Sequence, residues 1–264
     1  MNYYRLDILL HMKGLSESRE KSKQLILDNC VYVDKILVNK PSAKVSTFSE
    51  IKIINSNTSY VGRGAAKLVK AIDFFNICVQ DTIAVDVGAS TGGFTDVLLK
   101  NGARKVYAVD VGHDQLHYSL KNNEKVINME NTNFRYIDKK VFKESIDVIV
   151  VDVSFISLNF ILPKIVEISR IDTDIITLIK PQFEAGKSNI GKNGIVKDKK
   201  VHLFVLNNFN HYCTLNKIYI ENLTHSPIKG GNGNIEYLAH LRHGELTKMN
   251  NEIFKNVIKE AFEN

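Results

Sequence analysis

Four polar residues of this 264-residue chain have the types and positions needed for proton chemistry: Lys67, Asp152, Lys180 and Glu236. Asp152 closes the apolar run 148–151, and Lys180 closes the run 175–179, where Pro181 stops the strand. Glu236 stands at the start of a late strand, just after the glycine- and asparagine-rich stretch 230–234. Lys67 falls on a helix expected over 63–75 that leads into the sheet. Ligands of parallel sheets bind in the crevice outside the carboxyl ends of the strands, the edge at which Asp152, Lys180 and Glu236 are expected. A lysine among other cations in a partly buried site has a lowered pKa and can act as a base, and nearby acids hold it in place and offset the charge. Taken singly, each of these residues reads as a surface ion-pair member. Their occurrence together beside a ligand loop is what favours catalysis.

That loop is residues 86–96, Asp86-Val87-Gly88-Ala89-Ser90-Thr91-Gly92-Gly93-Phe94-Thr95-Asp96. It follows the apolar strand 83–87 and opens a helix that carries Phe94, Val97, Leu98 and Leu99. A second apolar strand, 106–109, ends on Asp110, which completes a βαβ unit with a carboxylate at its tip. The spacing Gly88-x-x-x-Gly92-Gly93 is not the G-x-G-x-x-G that lets backbone approach a pyrophosphate. The Gly186-Lys187-Ser188 triplet is not a phosphate loop either, because Pro181 stands where the first glycine belongs. What remains is a tight loop for a ligand with ribose and adenine but no phosphate. S-adenosylmethionine fits that description, with Asp110 accepting from the ribose hydroxyls. The plain alternative is a strand–helix turn that binds nothing.

The elements that must hold these groups follow from periodicity. Strands near 83–87, 105–109, 125–129, 147–151 and 174–179 alternate with helices, which implies a parallel sheet covered on both faces. A helix near 197–210, strands at 214–222 and 235–242 and an amphipathic helix through Ile253, Phe254, Val257, Ile258 and Phe262 complete the fold. Residues 1–60 read as a separate small unit. It has a first helix with Leu6, Ile8, Leu9, Leu10 and Leu15, then a second capped by Ser16 and ending at Asn29. Short strands at 31–33, 36–38 and 51–54 follow, with a turn at Asp34-Lys35, a break at Pro41 and a polar linker at 55–59. Arg19 and Lys23 are i, i+4 neighbours on the second helix and could track a phosphate backbone, or could simply be a solvated face.

Composition bounds the partners. Lys and Arg number 35 against 29 Asp and Glu, a net +6 that favours an anionic partner without saying which. Cys30, Cys78 and Cys213 are few, distant and set in apolar sequence, so buried free thiols in a reducing compartment are expected. No histidine pairing suits a metal. The charged residues Arg5, Asp7, His11 and Lys13 interrupt any N-terminal signal, and no run approaches the ~20 apolar residues that span a bilayer, so a cytoplasmic protein is expected.

Several short motifs now stand in order: Arg5-Leu6-Asp7, Ser16-Glu17-Ser18-Arg19-Glu20-Lys21, Tyr60-Val61-Gly62-Arg63-Gly64 and the loop at 86–96. Asp152-Val153-Ser154-Phe155-Ile156-Ser157, Ile179-Lys180-Pro181-Gln182-Phe183-Glu184 and Gly194-Ile195-Val196 continue the series. Over essentially its full length the chain resembles the TlyA proteins, ribosomal RNA ribose 2'-O-methyltransferases also called haemolysins. The resemblance implies an α/β fold of the Rossmann-like class I methyltransferase type, with a mostly parallel seven-stranded sheet at 61–264. It implies an α+β RNA-binding domain of the ribosomal protein S-four type at 1–60. Lys67, Asp152, Lys180 and Glu236 look like the family's catalytic tetrad, with Lys180 as the base. The cofactor set implied is Asp86, Gly88, Ser90, Thr91, Gly92, Gly93, Phe94, Thr95, Asp110 and Asn131. The RNA contacts implied are Arg5, Arg19, Lys23 and Arg63, with no metal. The substrate implied is ribosomal RNA within a ribosomal subunit, and the target a cytidine ribose. Gly62 and Ala65 depart from the family pattern, which has serine and glycine more often there. Two other classes compete: a non-catalytic RNA-binding assembly factor, and a pore-forming cytolysin.

Overall fold

The computed structural model describes residues 3–27, 30–34, 36–53, 60–246 and 249–263. These divide into two compact units, Met1–Arg63 and Gly64–Asn264.

In the first unit β1 (Tyr3–Arg5) leads directly into α1 (Leu6–Met12), followed by α2 (Arg19–Leu27). Then come β2 (Val31–Val33), β3 (Ile36–Leu37), β4 (Lys44–Ser46) and β5 (Ile51–Ile53). β1 pairs antiparallel with β4, and β2 lies between β3 and β5 in a three-stranded antiparallel sheet. The core is small: Leu6, Leu9, Leu10, Ile26, Val31, Val33 and Val45. Sequence periodicity does not reveal β1 or β4, because three-residue strands of mainly polar or exposed residues carry too little alternation to read. The start of α2 also differs from expectation. Ser18, not Ser16, caps it by accepting from the Lys21 amide, and Ser16 is turned instead onto the Ser22 hydroxyl. The expected helix end at Asn29, the turn residue Lys35 and the linker 55–59 lie outside the described residues.

The second unit runs α3 (Ala65–Phe75), β6 (Ile83–Val87), α4 (Gly93–Lys100), β7 (Lys105–Val109), α5 (Tyr118–Lys121), β8 (Val126–Met129) and β9 (Ile146–Val151). α6 (Leu162–Ile168), β10 (Ser169–Ile179), α7 (Pro181–Glu184), α8 (Lys199–Leu215), β11 (Ile218–His225), β12 (Tyr237–His243) and α9 (Asn251–Glu263) complete it. The seven strands form one sheet in the order β11-β12-β10-β9-β6-β7-β8. Neighbours from β10 to β8 pair in parallel, while β12 runs antiparallel to both β10 and β11. Every residue of β6 is buried, as in a strand covered on both faces, and Asp86 alone interrupts its apolar run. Val85, Val87, Ile149, Val151, Ile175 and Ile179 enter one core with α6, α8 and α9, and Ala84, Val148, Val150 and Ile176 are buried as well. Full burial of such a side chain contributes about 1.5–3 kcal/mol.

Among the described residues no helix is long and apolar enough to cross a membrane, and no group of three or more His, Cys, Asp or Glu could hold a metal ion. Cys30 and Cys213 are buried, but Cys78 is exposed, against the expectation of three buried thiols. It sits in the short connection between α3 and β6, where the chain runs over the surface.

Candidate active site

β6 and β9 are parallel neighbours, yet β7 and β8 lie to one side of β6 while β10 lies beyond β9. The chain therefore leaves these two strand ends in opposite directions, which opens a crevice at their carboxyl edge. Gly88 follows β6 with φ +85, and a Cβ there would stand 2.7 Å from the carbonyl oxygen of Asp152. The Asp152 amide in turn donates to Val87 O at 3.0 Å. Only glycine allows the loop after β6 and the loop after β9 to lie this close.

On the β6 side, Asp86 is fully buried, and the Thr95 hydroxyl donates to its Oδ2 at 2.7 Å. Its Oδ1 has no hydrogen-bond partner, and burial pushes the carboxyl up to about 7. Asp110, at the end of β7, accepts the Ser90 amide on Oδ2 (2.8 Å) and the Gly112 amide on Oδ1 (2.7 Å). The carboxylate is thus fixed in orientation while each oxygen keeps a second lone pair. Thr91 O accepts the His117 amide, and Gly92, at φ +95, caps α4, which Gly93 begins. Phe94 and Thr95 are buried within α4, so they shape the loop from beneath. Asn131 donates from Nδ2 to His113 Nδ1 at 3.1 Å. The intervening loop is strapped down by Glu130, which the amides of Leu116 and Gln115 hold at about 2.

On the other side, four elements converge. Lys67 comes from α3, Asp152 from the end of β9, Lys180 from the end of β10 and Glu236 from the residue before β12. Because β12 is antiparallel, its start lies at the same edge as the ends of β9 and β10. Lys67 Nζ donates to Glu236 Oε2 at 2.8 Å and to Asp152 Oδ2 at 3.4 Å. Lys180 Nζ stands 2.5 Å from Asp152 Oδ1 and donates to Ser154 Oγ at 2.9 Å. The side chains of Lys67, Lys180 and Glu236 are 9%, 9% and 2% exposed, whereas Asp152 keeps 20%. Two cations and two anions form one neutral, mostly buried chain whose most exposed member is Asp152. Removing one member of such a chain leaves a buried charge uncompensated.

Five side chains of this site, Ser154, Phe155, Gln182, Phe183 and Glu184, have no role assigned from the sequence. Ser154 holds Lys180, and Gln182 Nε2 donates to Glu236 Oε1 at 3.1 Å. Phe155 is 90% exposed at φ +62, with its ring centroid 5.0 Å from that of Phe183, whose ring lies 5.9 Å from Lys180 Nζ. Glu184 ties the two loops together by accepting from Ser157 Oγ and the Leu158 amide. All of these sit inside the two motifs at 152–157 and 179–184. The usable signal was the density of polar and aromatic residues just past a strand end.

In the first unit Arg5 and Arg19 meet on one carboxylate, that of Asp7. Lys23 approaches Glu20 at 3.8 Å, and Arg63, exposed, closes the unit.

The chain matches the FtsJ-like methyltransferase model over residues 60–243 and the S4 domain model over residues 5–51. It is 45% identical to Hemolysin A of Brachyspira hyodysenteriae, covering 89% of this chain and 98% of that protein. It is 38% identical to the 16S/23S rRNA (cytidine-2'-O)-methyltransferase TlyA of Mycobacterium tuberculosis, covering 90% of this chain and 89% of that one. A solved structure from Streptococcus thermophilus is 40% identical, with a TM-score of 0.78, and the match covers 100% of this chain and 97% of that one.

Proposed function

The chain belongs to the FtsJ-like methyltransferase family, in the TlyA group that carries an N-terminal S4 domain, and on that premise we propose that it methylates the 2'-hydroxyl of a ribose, in a cytidine of ribosomal RNA. The observation that carries the reading is the neutral Lys67–Asp152–Lys180–Glu236 chain, which opens at the same crevice as the glycine loop.

S-adenosylmethionine is the methyl donor that suits this loop. The buried Asp86 Oδ1 lacks a partner, and Asp110 keeps free lone pairs at the tip of β7, as a ligand with an amino group and a ribose requires. Bound there, the cofactor supplies an electrophilic methyl on a sulfonium. Asp86, Gly88, Ser90, Thr91, Gly92, Gly93, Phe94, Thr95, Asp110 and Asn131 form or back the pocket.

The protein's own groups do the rest. Lys180 Nζ, once it has released its own ammonium proton to solvent, takes the proton of the 2'-hydroxyl while that oxygen attacks the methyl in line. Asp152 and Ser154 fix Lys180 at the mouth of the crevice. Lys67, held between Asp152 and Glu236, orients the ribose through the carboxylates it joins. Gln182 keeps Glu236 from swinging away. Phe155 offers an exposed aromatic face beside the site, on which an unstacked base can lie. Arg5, Arg19, Lys23 and Arg63 supply cations for the RNA backbone, and a ribosomal subunit is the setting in which the target is folded.

The test is Lys180→Ala. The variant should bind S-adenosylmethionine in calorimetry as the wild type does and lose ribose methylation of unmodified ribosomal RNA by a hundredfold or more. Full methylation by that variant would remove Lys180 from the chemistry. A wild-type chain that binds RNA but transfers no methyl would favour an assembly factor.

A further inference from the structure

Three members of the Lys67–Asp152–Lys180–Glu236 chain are set by stiff elements: Lys67 lies within α3, and Asp152 and Lys180 directly follow β9 and β10. Glu236 arrives instead from the turn 230–234, whose glycines and asparagines have much backbone freedom to lose. Lys67 and Gln182 bind the end of its carboxylate, but neither fixes the backbone that carries it. Yet Glu236 is buried, and the turn folds directly against it: a Cβ on Gly230 would overlap its Oε1.

What stiffens the turn is Asn234, which is 2% exposed and uses both ends of its side-chain amide. Its backbone oxygen accepts the Gly230 amide at 2.8 Å, and its Nδ2 donates to Gly231 O at 3.2 Å, so 230–234 is closed on itself. The same Nδ2 donates to Gly194 O at 2.9 Å, and Oδ1 accepts the Val196 amide at 3.0 Å. A second grip lies on the other side of Glu236. The Tyr237 hydroxyl donates to His202 Nδ1 at 2.7 Å, and His202 Nε2 donates to Val196 O at 3.0 Å. Burial lowers the pKa of His202, so its ring is neutral and accepts at Nδ1 while it donates at Nε2. Glu236 therefore sits between two residues fastened to one short segment, 194–196. That segment is itself anchored, because Val196 packs in the core that includes the buried face of α8. The motif Gly194-Ile195-Val196 has no part in cofactor binding or proton transfer, and its backbone groups are spent on this fastening.

We propose that Asn234 is the positioning residue of Glu236, with the segment 194–196 as its anchor, and that the tetrad is assembled only when the two loops are stapled together. The staple rests on the methyltransferase reading above. It adds to it a buried neutral residue that acts on the reaction through Glu236 and a role for a motif outside the tetrad.

Asn234→Ala removes the three side-chain hydrogen bonds, and the residue lies too deep to touch RNA itself. With the full chain, tritiated S-adenosylmethionine and unmodified ribosomal RNA, kcat should fall about tenfold to a hundredfold, the loss expected when a group is misplaced by about 1 Å. KM for RNA and the calorimetric affinity for S-adenosylmethionine should stay within about twofold of wild type, the mark of an effect confined to the transition state. A role in folding alone would lower the melting temperature and leave kcat of the folded enzyme unchanged. Wild-type kcat in the folded variant, or a raised KM for RNA with kcat unchanged, overturns the proposal.

Should Asn234→Ala lose its circular dichroism, Tyr237→Phe carries the test. It keeps the ring in the core and removes only the hydroxyl held by His202, so kcat should fall several-fold at unchanged KM. Wild-type kcat in Tyr237→Phe then overturns the staple. A wild-type chain that transfers no methyl would overturn the methyltransferase reading and the staple with it. An active wild-type chain beside folded variants of equal kcat overturns the staple alone.

Discussion

Replacing Asp86 by asparagine should move the stability of the cofactor-free protein in favour of the variant by an amount that grows with pH. The carboxyl is fully buried with one oxygen unpartnered, and burial lifts it from 3.8 to about 7. Below pH ~4 it is protonated whether the chain is folded or not, and it contributes no pH dependence. Between 4 and 7 the unfolded chain releases the proton and the folded chain keeps it, so stability falls as pH rises. Above 7 the loss is complete. At about 1.4 kcal/mol per pH unit, the interval from 3.8 to about 7 amounts to about 4 kcal/mol. Asparagine has no such pH dependence, although a buried amide with no partner at the Oδ1 position costs about 1–3 kcal/mol at every pH. Urea unfolding of both proteins, followed by circular dichroism at several pH values from 4.5 to 8, gives the comparison. The difference between them should widen by about 3–4 kcal/mol across that range, in favour of the variant. Saturating S-adenosylmethionine should reduce the difference, because the wild-type carboxylate then gains a partner. Stability curves that run parallel in pH would refute the reasoning.

Other consequences follow from individual side chains. A Cβ on residue 230 would stand 2.0 Å from Glu236 Oε1, so Gly230→Ala should displace that carboxylate and slow methyl transfer at least tenfold, with calorimetric affinity for S-adenosylmethionine unchanged. Phe155 is too exposed to support the fold, so Phe155→Ala should leave stability within ~0.5 kcal/mol. Without its ring the stacking of a base, about 1–3 kcal/mol, is absent, and KM for RNA should rise about tenfold in steady-state assays.

The centre of the sheet was legible because its physics is simple. β6 and β7 are buried on both faces, so they are apolar but for Asp86 and the leading Lys105, and their ends fall where the sequence puts them, at 83–87 and 105–109. The flanks were not, because they are only partly covered. β10 begins at Ser169, five residues before the expected 174: Ser169 pairs with Ile146 and Asp174 with Val148, so the residues between them bulge from the ladder and leave Ile171 exposed. β11 starts at Ile218, not 214, because α8 runs on to Leu215 and turns Cys213 into the core. The same contrast holds at the site. Lys67, Asp152, Lys180 and Glu236 stood out as charges at strand ends or on the leading helix, and the fold gathers them. Ser154, Gln182 and Asp7 did not stand out, since a neutral or buried partner has meaning only once the group it holds is in place.

The central claim, ribose methylation by the Lys180-centred site, is tested most directly by nucleoside mass spectrometry. Unmodified ribosomal subunits would be incubated with S-adenosylmethionine and either the wild-type chain or Lys180→Ala. The account predicts 2'-O-methylcytidine with the wild type and none with the variant. A base-methylated nucleoside, or 2'-O-methylcytidine produced equally by both proteins, would contradict it.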